Sequence, residues 1–261
     1  MRKSGQARVL TPEQQQTVFD EIRKRRHPEK NRAIMLISFR LGLRAQEISL
    51  LQIKEIARLT PSGTDFTLLE IMPLPAAYTK GSDAMNRSKA EYKRKSVSFT
   101  VSEFDRTVGT IVKLAQAGAE IRPEDFYPEL KKHHGRSRDL PMVDEDLREA
   151  LEEYLTLRIA KAGSLKPTDP LFITQKGGTY SPNTLQEHMA LILRGWAGIE
   201  KASSHSGRRT LITDIIHHQG KSVKVAQKVA GHVNPSTTLI YEEPPEEMLA
   251  DALGSLRKLD E

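Results

Sequence analysis

The residues best suited to chemistry lie near the C-terminus. They are His205 and Arg208 in HSGRRT, His232 after Gly231, and Tyr241, all within 37 residues. A much earlier stretch, LGLRAQEISLL at 41–51, adds Arg44. An arginine fork stays charged and matches two phosphate oxygens. A histidine N–H donates to such oxygens and can pass a proton to a leaving group. A tyrosine hydroxyl can attack phosphorus, and its phenolate leaves more readily than an alkoxide when the step runs backward. These residue types suit the breaking and rejoining of a phosphodiester without a metal. Fixed donors would hold the charge that develops on the non-bridging oxygens. The covalent link would preserve the bond energy, so rejoining would need no ATP.

Taken singly, each residue has a blander reading as a packing or surface side chain; order and spacing carry the inference. His205 and Arg208 are three apart and share a helix face. Gly231 permits a sharp turn before His232. Arg44 sits at a Gly-marked bend between two apolar helices, where an arginine is costly without an anionic partner. Glu47, three residues on, is the plain salt-bridge partner. The pairs His133-His134 and His217-His218 raise the question of a metal, but neighbouring histidines on a helix point apart and no carboxylate spacing completes a site.

The elements that must position these residues read mostly as helices. Thr11-Pro12-Glu13-Gln14 is a capping box opening a helix that ends near the basic run Arg23–Arg26. A nearly all-round apolar helix over 30–41 ends at Gly42, and a third helix is predicted over 45–56, with Ile48, Leu51 and Ile56 inward. FTLLEIM (66–72) and SVSFTV (96–101) read as strands from their β-branched and aromatic content. Between them TKGSDAMNRSKAEYKRK (79–95) is a polar loop with six bases and two acids. Helices are predicted over 103–118, over 145–162 behind the cap Asp144, from Ser181-Pro182 to Trp196, over 206–220 and over 221–232. KKHHGRSRDLPMV (131–143) is a basic turn leading into a short strand, and LFIT (171–174) a buried extended segment. Beyond Pro244-Pro245, Leu249, Leu253 and Leu256 fall at i, i+4 and i+7 of a final amphipathic helix.

Composition bounds the function classes. The chain has 261 residues and no cysteine, which removes disulfides, thiolate metal sites and cysteine nucleophiles and is in keeping with a reducing cytoplasm. No apolar run is long enough to span a bilayer, and MRKSGQARVL lacks the apolar core of a secretory signal. The net charge is +6, but residues 242–261 hold seven acids and two bases, a net of −5, so residues 1–241 carry +11. A basic body favours a polyanion. Aromatics at 5% argue against a single-strand stacking platform.

Three boxes together carry a resemblance. LGLRAQEISLL, HSGRRT and GHVNPSTTLIY resemble, in order and spacing, the first arginine box, the His-x-x-Arg box and the closing Gly-His … Thr-Thr-x-x-Tyr pattern of the tyrosine recombinase (phage integrase) family. The similarity runs from about residue 10 to 245. It implies a mainly α fold with a small antiparallel β-sheet (α+β). It implies Arg44 and Arg208 as clamps on the scissile phosphate of double-stranded DNA, with His205 and His232 as donors and proton carriers. Tyr241 would form a 3′-phosphotyrosine, and Glu47 would hold the site. The implied enzyme is a site-specific recombinase that needs no cofactor or metal and sits on the nucleoid when bound. A DNA-binding regulator of the same fold and a type IB topoisomerase are the alternatives.

The chain departs from the family pattern in three places. Counting back from Pro141, the family's hairpin lysine falls on His133; a one-residue turn insertion restores Lys132, with Lys131 and Lys80 as alternatives. The stretch between arginine box and hairpin turn is about 50 residues longer than a compact member needs, enough for an inserted element. The family's separate N-terminal clamp domain is not evident, so 1–261 reads as one catalytic domain. Its grip on DNA would be helped by accessory DNA-bending or recombination-directionality proteins, and its tail, 246–261, would pack on its own core or on a neighbouring copy. Backbone contacts to DNA are expected from Lys80, Arg87, Lys93, Arg94, Lys95, Arg136, Arg138 and Arg209.

Overall fold

In the computed structural model, which describes residues 7–79, 99–127, 137–232, 234–241, 249 and 253–254, helix α1 (Pro12–Arg23) opens as its sequence predicts. The Thr11 hydroxyl accepts from the Gln14 N–H, and the Gln14 side chain accepts from the Thr11 N–H. This reciprocal cap satisfies two of the donors that a helix start leaves open. The basic run behind the helix is a solvated helix end, with Arg23 paired to Asp20 and Lys24 to Glu21. Helix α2 (Pro28–Leu36) passes into a π-helical turn, Ile37–Leu41, which Gly42 ends. Helix α3 (Ala45–Leu50) is shorter than the 45–56 expected. From Leu51 the backbone pairs elsewhere: Leu51 O accepts from Leu171 N–H at 2.7 Å, and Ile53 N–H donates to Asp169 O at 3.0 Å. Ile48, Leu51 and Ile56 are all buried, so the apolar pattern marked the core correctly although the helix stops early.

FTLLEIM is two strands rather than one. β1 (Ala57–Leu59) pairs antiparallel with β2 (Phe66–Leu68), and β3 (Ile71–Leu74) pairs antiparallel with β4 (Arg138–Pro141). The break falls at Leu69–Glu70, where Leu69 N–H turns to Ile56 O at 2.9 Å and Glu70 O accepts from Met142 N–H at 2.8 Å.

The chain divides into two units, Met1–Lys80 with Gly135–Glu261, and Gly81–His134. The second is the stretch that the sequence marks as longer than a compact relative needs. Its helix α4 (Val101–Gln116) corrects the strand expected at 96–101, of which 96–98 lie outside the described residues. Thr100 is the N-cap: its hydroxyl accepts from the Glu103 N–H at 3.3 Å, and Glu103 accepts from the Thr100 N–H at 2.8 Å. That reciprocal cap outweighs the strand preference of Phe99, Thr100 and Val101.

In the first unit, α5 (Glu145–Ala162) is capped by Asp144, whose carboxylate accepts from the Leu147 N–H at 2.9 Å. Helix α6 (Pro182–Ala190) continues into a π-helical turn, Leu191–Trp196. Helix α7 (Ser206–Thr213) does the same through Asp214–His218. Then come α8 (Val223–Ala230) and the short α9 (Ser236–Leu239). The chain is thus mainly helical with a small amount of antiparallel sheet. One core gathers α2 against α5 and α3 against α6, with Tyr154 stacked on Phe172 at 5.1 Å. A smaller cluster of Ile212, Ile215, Ala226 and Ala230 lies beneath Tyr241. Leu211 and Ile216 pack partly buried against that cluster. No helix among the described residues is long and apolar enough to cross a membrane.

Candidate active site

Arg44 occupies the N-cap position of α3, its backbone extended at φ −77° and ψ 153°. Glu47, one turn on and fully buried, folds back on it: Oε2 accepts from the Arg44 N–H at 2.8 Å and Oε1 from Nη1 at 3.1 Å. The carboxylate therefore fixes the backbone and the side chain of Arg44 at once. About a quarter of the Arg44 side chain, 23%, stays open to solvent.

Arg208 enters from α7 and is only 4% exposed. Its Nη1 donates to Gly42 O at 2.6 Å, just before Arg44, and its Nη2 donates to Ala230 O at the end of α8. One planar fork thus joins the two segments that carry Arg44 and His232. The approach of α7 depends on Gly207, where a Cβ would stand 2.4 Å from Ser38 Oγ in the π-helical turn. Burial pushes the Arg208 guanidinium down to about 9, with Arg44 and Arg138 adding to the effect and Glu47 opposing it. It stays charged at neutral pH, so the site is a concentration of positive charge short of anions.

His232 follows the left-handed Gly231, and its Nδ1 lies 2.8 Å from the hydroxyl of the fully buried Thr238. Burial pushes its pKa down to about 3, and Arg208, Arg44 and Arg138 push the same way, so the ring is neutral at pH 7. The Tyr241 ring lies against the His232 ring, centroids 6.1 Å apart and planes 21° from parallel. The Arg209 guanidinium carbon is 5.7 Å from the Tyr241 centroid, and His217 Nε2 is 2.8 Å from the Tyr241 carbonyl. His205 holds the N-cap position of α7, one turn before Arg208, and is exposed.

Arg44 and Glu47 thus meet Arg208, His232 and Tyr241, which lie more than 150 residues later in the chain. Arg138, read from the sequence as a surface phosphate contact, is placed within the site instead. Its side chain is 8% exposed, Nη2 donates to Glu47 Oε2 at 2.9 Å and Nη1 to Val229 O at 3.0 Å. Burial lowers its pKa first and Arg44 further, against the opposing pull of Glu47. Arg209 lies on the tyrosine ring. Sequence reasoning gave Thr238 no role of its own, although it lies in the Thr-Thr-x-x-Tyr pattern, and weighed His217 only as a metal ligand; their partners are ring and backbone atoms of folded neighbours. Lys80, Arg87, Lys93, Arg94, Lys95, Lys131, Lys132 and Arg136 lie outside the described residues.

The phage integrase family model matches residues 107–247, more than half of the chain. A tyrosine recombinase XerC from Methylobacterium sp. (strain 4-46) is 36% identical over 107 residues, which cover 41% of this chain and 32% of the relative. A tyrosine recombinase XerC from Bacillus subtilis (strain 168) is 28% identical over 145 residues, covering 52% and 45%. The chain covers about a third of the length of the first curated relatives it matches. Among solved structures, XerA recombinase aligns with a TM-score of 0.59 at 18% identity, covering 99% of this chain and 67% of that one. A Tn1549 transposon integrase in complex with transposon right end DNA aligns at 0.56 and 16% identity, covering 97% and 67%. These two likenesses speak for the fold.

Proposed function

We propose, from the premise that this chain belongs to the phage integrase family, that it is a site-specific DNA recombinase working through Tyr241. The observation that carries the proposal is the convergence of two arginines and a neutral histidine beside one tyrosine. In this reading Arg44 and the rim of Arg208 take the non-bridging oxygens of the scissile phosphate. Their charge, short of protein anions, is balanced when the phosphate arrives. The Thr238 hydroxyl donates to His232 Nδ1, which leaves the ring proton on Nε2, free to donate to a phosphate oxygen. The Tyr241 hydroxyl gives up its proton to solvent as its oxygen attacks phosphorus, the P–O5′ bond breaks, and a 3′-phosphotyrosine forms while a proton goes to the 5′-oxygen. His205, and a lysine of the 131–132 segment, are the proposed donors of that proton. Reversal by another 5′-hydroxyl rejoins the strand. Double-stranded DNA is the proposed partner, with a second copy of the chain engaged through 246–261, where Leu249 and Leu253 stand exposed.

The test is a nicked duplex carrying a site selected for binding by this protein, so that cleavage releases a short strand and traps the adduct. A detergent-resistant protein–DNA adduct is expected from wild type, unchanged by EDTA and absent with Tyr241→Phe. DNA binding without an adduct would leave a DNA-binding regulator in its place, and relaxation of supercoiled plasmid without strand exchange a topoisomerase.

A further inference from the structure

A helix end leaves its last four carbonyls open. In α8 these belong to Gln227, Lys228, Val229 and Ala230, and all four are filled. Gln227 O accepts from the His232 N–H at 3.1 Å and Lys228 O from the Gly231 N–H at 3.2 Å. The other two are taken by guanidinium groups: Val229 O by Arg138 and Ala230 O by Arg208. Positive charge at the C-terminal end of a helix is favourable in itself. Arg208 is absorbed by the function proposed above, but Arg138 is not. It begins β4, and its fork spans two acceptors each 91 residues away in sequence, Glu47 and Val229. The fit against α8 is close: a Cβ on Gly231, already at φ +62°, would lie 2.5 Å from Arg138 Nη1.

We infer that Arg138 is a positioning residue, a brace that holds the end of α8 against Glu47 and so sets where His232 and Tyr241 stand relative to Arg44. As a statement about strand transfer this rests on the function proposed above. Each terminal nitrogen of Arg138 holds one protein acceptor, Glu47 Oε2 or Val229 O, and its part is to keep those two acceptors together. It acts through Glu47, which takes three N–H donors, two from Arg44 and one from Arg138. A lysine supplies the charge but only one nitrogen, which cannot span the two acceptors as the planar fork does.

The experiment compares wild type, Arg138→Lys and Arg138→Ala in adduct formation, equilibrium DNA affinity, thermal unfolding and amide hydrogen exchange. Misplacing reacting groups by a fraction of an ångström is expected to slow adduct formation roughly tenfold to a hundredfold in both variants. Affinity should stay within about twofold, as for a residue that braces without touching phosphate. Exchange should quicken selectively over 225–241. Wild-type rates in Arg138→Lys would overturn the brace and leave a simple charge. A loss confined to affinity, with a shallower salt dependence, would make Arg138 a DNA contact. Faster exchange throughout the chain would reduce it to a stabilising residue. If Arg138→Ala does not fold, Arg138→Lys decides. If wild type itself forms no adduct, the function reading fails, and selective exchange over 225–241 still decides whether Arg138 braces α8.

Discussion

Thr238 has no chemistry of its own, yet in the proposed reading its hydroxyl donates to His232 Nδ1 and so keeps the ring proton on Nε2. Both are held in place: the threonine is fully buried and its hydroxyl is 2.8 Å from Nδ1. Thr238→Val keeps the shape and removes that partner. The ring is then free to place its proton on either nitrogen, and adduct formation should slow on the order of tenfold, less than the ~100-fold expected from losing a whole oxyanion donor. DNA affinity should not change; an unaltered rate in the valine variant would remove Thr238 from the proposal. The same scale shows where sequence reading stops. Arg44, Arg208, His232 and Tyr241 were legible because the spacing around each is local. The roles of Thr238, His217 and Arg138 were not, because the contacts that give them those roles form only on folding.

At the scale of elements, caps were the most legible signals. Thr11, Asp144 and Ser181 each begin a helix where the sequence placed one, since a cap is written in three or four adjacent residues. At 99–101 the expected strand gives way to a helix start, where a cap, Thr100 with Glu103, competes with β-branched content. The π-helical turns at 37–41, 191–196 and 214–218 left no trace, because one wider turn hardly disturbs an apolar period read over a whole helix. Packing between α2 and α6 also yields a pH dependence. His188 Nε2 is 2.8 Å from Asn31 Oδ1, and the ring lies between Tyr180 and Trp196. Burial, with Lys30 adding to it, pushes the His188 pKa down to about 4. The unfolded chain takes up this proton near pH 6.5 and the folded chain only near 4, so stability is full above about 6.5 and falls as pH drops toward 4. His232 adds a loss of the same sign down to about 3. Urea midpoints should therefore fall between pH 7.5 and 5, and by less in His188→Gln, whose amide can still donate to Asn31. Equal falls in both proteins would assign the acid sensitivity elsewhere.

For the whole molecule, charge is divided between a basic body, +11 over residues 1–241, and an acidic end, −5 over 242–261. Duplex binding should weaken linearly in log affinity against log salt, with a slope of about −0.9 for each phosphate neutralised. Replacing the acids of 242–261 by their amides should tighten binding at low salt, and the gain should fade once the screening length drops well below ~8 Å. A gain that persists in high salt would mean that the end of the chain covers the DNA surface sterically. The brace at α8 bears on the molecule as a whole in another way. The stretch from α8 to Tyr241 is short and continuous, and it looks like a cassette that could be exchanged between homologues to swap nucleophiles. The last two carbonyls of α8, however, are filled from β4 and α7, and Gly231 is shaped to the arginine that lies on it. Such a graft would inherit its host's Arg138 and Glu47, and those contacts would set where the transplanted tyrosine stands. The heritable unit of this site is an arrangement spread over four separate segments, and recombination between homologues should preserve it only when all four come from one parent.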